Sequence, residues 1–284
     1  MSVGFIGLGN LGRAIANRLI SQGVALTVWN RGKQKAKDFG APSAESPAAV
    51  VAGADITFLC LADSAAVKAV LESPGGILDT DCAGKIIIDT TTNHFESVLQ
   101  FHRMLSERGG AYLESPVLGS IIPASTGNLT ILVSGDIKSF ESSRPLLNLI
   151  GSKIFFLEKP SLATKLKLVN NFVLGSFMAT IAEALVLGEE MGASKEKILE
   201  IFSVGPASSA ILNGKREKLL TEDFTPHFSM AMMNKDLKYV EDMARSINRP
   251  LFNAMVAREL FAKSIPAKVE ELDFSAVYKI IKGM

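Results

Sequence analysis

Cysteine is scarce: Cys60 and Cys82 are the only two in 284 residues. Neither has a thiol or histidine nearby at metal-ligand spacing, which excludes a secreted disulfide framework and gives no sign of a metal centre. Both are expected to be plain thiols, Cys60 a small apolar filler. An excess of one charge is also lacking. Thirty basic against twenty-nine acidic residues leave +1, and the basic ones are scattered, so no nucleic-acid partner is expected. The amino terminus MSVGFIGLGNLG carries no basic leader and is broken by glycine, unlike a signal peptide. No apolar run reads as a bilayer span, because NFVLGSFMATIAEALVLG still contains Asn171 and Glu183. The expectation is a cytoplasmic enzyme away from membranes, with 48% hydrophobic residues giving a large core and two domains.

What is present is a rhythm of short apolar strands and amphipathic segments. VGFIG leads to a helix from Leu11 to Gln22, then ALTVWN, a basic helix after Lys33, ADITFLCLA, and GKIIIDTTT. Such alternation predicts a parallel α/β sheet covered on both faces, with ligands at the carboxyl ends of its strands. GAYLESPVLG, NLTILVSG and KIFFLE are expected to extend that sheet. From about Ser161 helical periodicity continues to the end, with Pro206, Pro226, Pro250 and Pro266 marking breaks.

The first chemical signal is VGFIGLGNLGRAIANRL. Gly7, Gly9 and Gly12 complete a GxGxxG between a strand and a helix, with Leu8, Asn10 and Leu11 between them, the context that makes this pattern a dinucleotide site. Gly7 permits a tight turn, Gly9 admits pyrophosphate, and Gly12 lets helix and sheet pack closely. The helix amino terminus adds unpaired N–H groups. At the end of the second strand, VWNRGKQKAK offers Asn30 for the adenosine ribose and Arg31, with Lys33 or Lys35 behind it, for a 2′-phosphate. NADPH is therefore expected over NADH, which remains the second cofactor.

Further along, Leu61, Ala62 and Asp63 in CLADSAAVKAVL lie at a strand end and are expected to border the cofactor. Thr91 and Thr92 in IIIDTTTNHFES can bond ribose or carboxamide groups, or cap a helix beginning near Asn93. His94 reads as a surface or packing residue. In ESPVLGSIIPASTG, the turn from Pro116 through Val117, Leu118, Gly119 and Ser120 is expected to gather N–H groups into a nest for a carboxylate.

KLKLVNN places polar groups in an apolar helix. Lys167 and Asn171 share one face one turn apart, with Asn170 adjacent. Leu166, Val169, Val173 and Phe177 form a neighbouring apolar stripe, expected to face the core and to leave the polar group at its border. The ammonium could protonate a carbonyl oxygen as hydride reaches carbon; snorkelling of Lys167 beside a buried amide pair is the plainer alternative.

GFIGLGNLGRAIANRL, VWNR, DTTTN, ESPVLGS, KLVNN and MMNKDLKYV together resemble the β-hydroxyacid dehydrogenases, which include 3-hydroxyisobutyrate dehydrogenase and the glyoxylate and succinic semialdehyde reductases. The resemblance spans essentially the whole chain. It implies a Rossmann domain over 1–161 and an all-α domain over 162–284, joined through a long interdomain helix, with homodimers or higher homo-oligomers built through the helical domain. It also implies a small carboxylate-bearing carbonyl substrate, Lys167 as catalytic residue, Asn171 as its partner, and Lys235, followed by Asp236, near cofactor and substrate. One position departs from the pattern: the substrate loop has Leu118 where the family commonly has serine. A hydrogen bond to substrate is thereby lost, or a more apolar substrate accommodated. Imine reductases resemble the same fold and suit Leu118, but usually lack the lysine. A catalytically silent dinucleotide-binding interaction module of the same superfamily typically lacks it too and carries extra interaction domains, for which this chain reads as having no room.

Overall fold

The run VGFI forms β1 (Val3–Ile6) and is buried along its whole length in the computed structural model, which describes residues 1–284. A strand without an exposed face belongs inside a parallel sheet covered on both sides. The sheet order is β2-β1-β3-β4-β5, with β2 Leu26–Trp29, β3 Ile56–Leu59, β4 Ile86–Asp89 and β5 Ala111–Glu114, every pairing parallel. The chain winds outward in both directions from β1, so the switch point falls at its carboxyl end. Connecting helices are α1 (Asn10–Ser21), α2 (Lys33–Lys37), α3 (Pro47–Ala52), α4 (Ser64–Glu72) and α5 (Phe95–Ser106). Phe5, Phe58, Ile15 and Leu19 belong to the core on one side of the sheet. Leu59, Ile87, Leu71 and Phe101 belong to that on the other.

The next three strands do not extend this sheet, contrary to the expectation. β6 (Val117–Leu118), β7 (Leu129–Val133) and β8 (Gly151–Phe156) form a second, three-stranded sheet, with α6 (Ile121–Thr126) and α7 (Ile137–Ile150) between them. β6 runs antiparallel to β7, and β7 parallel to β8. Physically, the link from Leu118 to Leu129 is too short for a parallel crossover, which needs about a dozen residues or more. An antiparallel return is what such a link permits.

From Leu162 the chain is helical: α8 (Leu162–Glu190), α9 (Lys195–Val204), α10 (Ala210–Thr221), α11 (Met230–Ser246), α12 (Phe252–Ala262) and α13 (Val277–Lys282). Contacts divide the chain into two units, Met1–Lys167 and Leu168–Met284. The first turns of α8 therefore pack with the α/β unit, although the helix itself begins at Leu162. In the second unit Met178, Leu185, Leu212, Phe261 and Tyr278 share a core. Gly175 allows close packing there, since a Cβ on it would stand 2.9 Å from Met233 Sδ. Asp273, fully buried, accepts hydrogen bonds from His227 N and from Ser275 and pairs with Lys215 at 2.8 Å, fastening the last segment of chain.

Helix α8 corrects the sequence reading twice. At 29 residues, with mean hydropathy 1.5 over its most apolar window, it is long and apolar enough to cross a membrane. The stripe expected against the core is also turned outward: Leu166, Val169, Val173 and Phe177 are 41%, 45%, 43% and 48% exposed, whereas Lys167 is 9% and Asn171 0% exposed. The inward face instead runs through Leu168, Asn171, Met178, Ala182 and Leu185. Asn171 can occupy it because a carboxylate satisfies its amide, as described below.

Candidate active site

Each glycine of the first motif meets a different constraint. Gly7 has φ +102, and a Cβ on it would lie 2.3 Å from the Cys60 carbonyl oxygen; a Cβ on Gly12 would lie 2.1 Å from the Gly7 carbonyl oxygen. Gly9 has nothing within 4 Å of that position, so its face is open to a ligand. Gly9 also precedes α1, whose amino end receives no side-chain cap. Open space and an uncapped helix end are what a pyrophosphate requires, so these residues fit a dinucleotide. Asn10 is exposed, Leu11 half-buried and Leu8 buried.

Asn30 braces the strand end on which the sequence places it. Its Oδ1 accepts from Leu8 N at 2.9 Å and its Nδ2 donates to the Gly32 carbonyl at 3.1 Å. Both ends of the amide thus hold the glycine loop and the following turn. Arg31 and Lys33 are exposed. Glu45, which the sequence reading did not foresee here, lines a small depression with Asn30, Lys33 and Lys37.

The strand ends after β3 and β4 are stitched together. Thr91 Oγ1 accepts from Leu61 N at 3.0 Å. It does not cap a helix, because α5 starts at Phe95 with His94 as its cap. His94 Nδ1 accepts from Glu96 N at 3.3 Å, and its ring packs on Phe95. Asp63 caps α4 through Ala66 N, Ala62 is exposed and Thr92 half-buried. Beneath them lies Asp89, fully buried, accepting from Thr91 N at 2.8 Å, Asn93 Nδ2 at 2.7 Å and, in a short bond, the Tyr112 hydroxyl. Ser64 Oγ donates to Asn93 Oδ1 and accepts from His94 N. Burial pushes the Asp89 carboxyl up, and these hydrogen bonds oppose the shift. The network fixes the loops after β3 and β4 in one register. Sequence reasoning missed Asp89, Asn93 and Ser64; the one signal was a carboxylate ending the apolar run IIID.

The 116–120 segment is only partly the expected nest. Val117 and Leu118 pair with Ile131 and Thr130 as a short edge strand. Gly119 then turns with φ +113, and Ser120 precedes α6. Leu118 is half-buried. The ladder thus occupies part of the backbone that a nest would present.

Lys167 ends the first unit. In the second, Asn171 Nδ2 donates to Asp236 Oδ2 at 2.6 Å, and Asp236 is fully buried. Its Oδ1 lies 3.0 Å from Lys235 Nζ, an ion pair without hydrogen-bond geometry. The Lys235 ammonium also sits 5.1 Å over the Tyr239 ring. Asn170 is exposed, its Nδ2 3.3 Å from Asn171 Oδ1. Asp236 therefore joins Asn171 on α8 to Lys235 on α11. Sequence reasoning gave this carboxylate no role, and its place beside Lys235 was the available clue.

A family model described as the NAD binding domain of 6-phosphogluconate dehydrogenase matches residues 2–157. Another, described as NAD-binding of NADP-dependent 3-hydroxyisobutyrate dehydrogenase, matches residues 162–281. The chain is 35% identical over 280 residues to cytokine-like nuclear factor N-PAC of Gallus gallus, covering 98% of this chain and 51% of that protein. It thus spans about half the length of that relative. With glyoxylate/succinic semialdehyde reductase 1 of Arabidopsis thaliana it is 34% identical over 287 residues, 99% of each. Its fold superposes on Psf3 in complex with NADP+ and 2-OPP with TM-score 0.90 at 27% identity, covering 98% of this chain and 99% of that one.

Proposed function

The chain belongs to the β-hydroxyacid dehydrogenase family, and on that premise we propose that it is an NADPH-preferring oxidoreductase interconverting a small aldehyde or keto acid and its hydroxy acid. The observation that carries this reading is Lys167, an ammonium-bearing side chain only 9% exposed, one turn from a buried Asn171 within the family's lysine motif. Bound along Gly7–Gly12, the reduced cofactor would supply the hydride. Lys167 Nζ gives a proton to the carbonyl oxygen and takes it back in the oxidative direction. Asn171, its amide oriented by Asp236, positions the oxygen, while Lys235 and the 117–120 segment hold the carboxylate. The NADPH preference rests on Arg31, Lys33 and Lys37, three cations near the end of β2 against Glu45. A second copy of the chain is the proposed partner, covering apolar side chains left at the surface of the second unit.

Leu118 favours a second reading, imine reduction, because it offers an apolar contact where a hydroxyl would bind a carboxylate. Relatives named as a nuclear factor rather than as a reductase leave a third reading, in which dinucleotide is bound without turnover; Lys167 speaks against it. Loss of NADPH absorbance with glyoxylate, succinic semialdehyde and a cyclic imine separates the three. Turnover of an aldehyde acid is expected, and Lys167→Ala should lower kcat by about 10²–10⁴-fold, the usual worth of a general acid, with NADPH affinity unchanged. Imine turnover alone, or NADPH binding with no turnover, would reject the proposed reaction.

A further inference from the structure

The first turn of α8 is fastened to the α/β unit by side chains. Ser161 Oγ donates to the Phe95 carbonyl at 2.7 Å, Ala163 N donates to Ser134 Oγ at 3.1 Å, and Thr164 N donates to Glu114 Oε2 at 3.1 Å. Thr164 Oγ1 shares a short hydrogen bond with the same carboxylate oxygen. Glu114 ends β5 and is bridged to Ser134 just past β7, so the helix is anchored where the two sheets meet. The leading N–H groups of a helix have no partners within it, and a negative charge there also meets the positive end of the helix dipole. Lys167 follows Thr164 by three residues and therefore stands above it on the same face.

A tether alone does not explain the choice of a carboxylate. Glu114 is 1% exposed, and its second oxygen, Oε1, is buried without a hydrogen-bond partner. Such an oxygen is costly when charged. Burial pushes the Glu114 carboxyl up to about 7, with the Thr164 hydrogen bonds pulling the other way. Its charge thus changes within the working range of an ordinary enzyme, at the base of the turn that leads to Lys167.

We propose that Glu114 is a positioning residue whose ionisation sets how α8 presents Lys167, so that carbonyl reduction tracks the charge on Glu114. This rests on the reading of Lys167 as proton donor. Ionised, Glu114 accepts both Thr164 donors in charge-assisted bonds and fixes the turn; protonated, it holds them more weakly and the turn loosens. Other titratable or charged groups surround it. Tyr112 shares β5, and Asp89 lies opposite in register on β4. Asp89 takes the Tyr112 hydroxyl as its own partner. On α5, burial lowers His102 to about 4, so it is neutral across the relevant range. Glu158 and Lys159 lie in the turn before α8, and on the helix itself Lys165, two residues before Lys167 and so on a different face, places its ammonium 5.7 Å from the Phe95 ring centroid. Only Glu114 receives the Thr164 bonds, which singles it out experimentally.

The test is the pH profile of kcat for aldehyde-acid reduction at saturating NADPH, in the intact chain, for wild type, Glu114→Gln and Thr164→Val. Wild type should lose turnover on the acid side through a group titrating near 7. Glu114→Gln should flatten that limb. Thr164→Val, which removes a bond favouring the ionised carboxyl, should move the limb to higher pH with NADPH affinity unchanged. Absence of the limb in wild type, or the same limb in both variants, would overturn the proposal. If Glu114→Gln does not fold, the direction of the Thr164→Val shift decides alone. Failure of the underlying reading has a separate signature: Lys167→Ala would keep wild-type turnover whatever the Glu114 and Thr164 profiles show.

Discussion

Glu114 leaves a mark on stability that needs no substrate to be seen. Its carboxyl titrates near 7 in the folded chain against an ordinary 4.5. Between those values the folded state keeps a proton that the unfolded state has released, so stability falls as pH rises through that window and levels off above it. The difference amounts to roughly 3 kcal/mol if nothing relaxes, at about 1.36 kcal/mol per pH unit. Glu114→Gln should therefore melt progressively higher than wild type, in relative terms, as pH is raised from 5 to 8; parallel melting curves across that range would show that burial does not perturb this carboxyl. Asp236 shows what sequence could and could not convey at this scale. Lys167, Asn171 and Lys235 stood out as candidates in KLVNN and NKDLKYV. The carboxylate that links two of them did not, because its partner Asn171 is 65 residues away in the chain and helical spacing does not say which of two adjacent charged residues turns inward.

Among the elements, the β1–α1 turn separates folding from binding glycine by glycine. Gly12 has backbone where its Cβ would be, whereas Gly9 has open space and an extended φ of −69. Gly9→Ala should keep stability within about 1 kcal/mol, the scale of a helix-cap change, yet abolish measurable NADPH binding by filling the pyrophosphate cradle. Gly12→Ala should lower the melting temperature as well. Thermal melting with and without NADPH distinguishes the two, and tight NADPH binding by Gly9→Ala would show that the cradle lies elsewhere. The parallel strands and this turn were legible because fully buried strands and glycine spacing are local patterns. The second sheet and the orientation of α8 were not. The first depends on a link too short for a crossover, and the second on the carboxylate of α11. The bonds from the Asn30 amide to Leu8 and Gly32 were likewise not legible, because they depend on how two separate turns fold together.

At the scale of the whole molecule, apolar surface remains on the second unit. Leu187, Met191, Ile201 and Val204 are 58%, 81%, 57% and 85% exposed, on or just beyond α8 and on α9. Exposed apolar side chains gathered on one unit mark association surfaces more often than free ones. Sedimentation should find at least a dimer, and Ile201→Asp with Val204→Asp should shift it toward monomer; a wild-type monomer at micromolar concentration would contradict that assignment. The family's lysine motif lies in the first turns of α8, and the central claim is that this lysine performs proton transfer. The most direct measurement is NADPH consumption with glyoxylate and succinic semialdehyde by wild type and Lys167→Ala side by side. The account predicts turnover by the wild type and a loss of about 10²–10⁴-fold in the variant at unchanged NADPH affinity; turnover by the variant at the wild-type rate would contradict it.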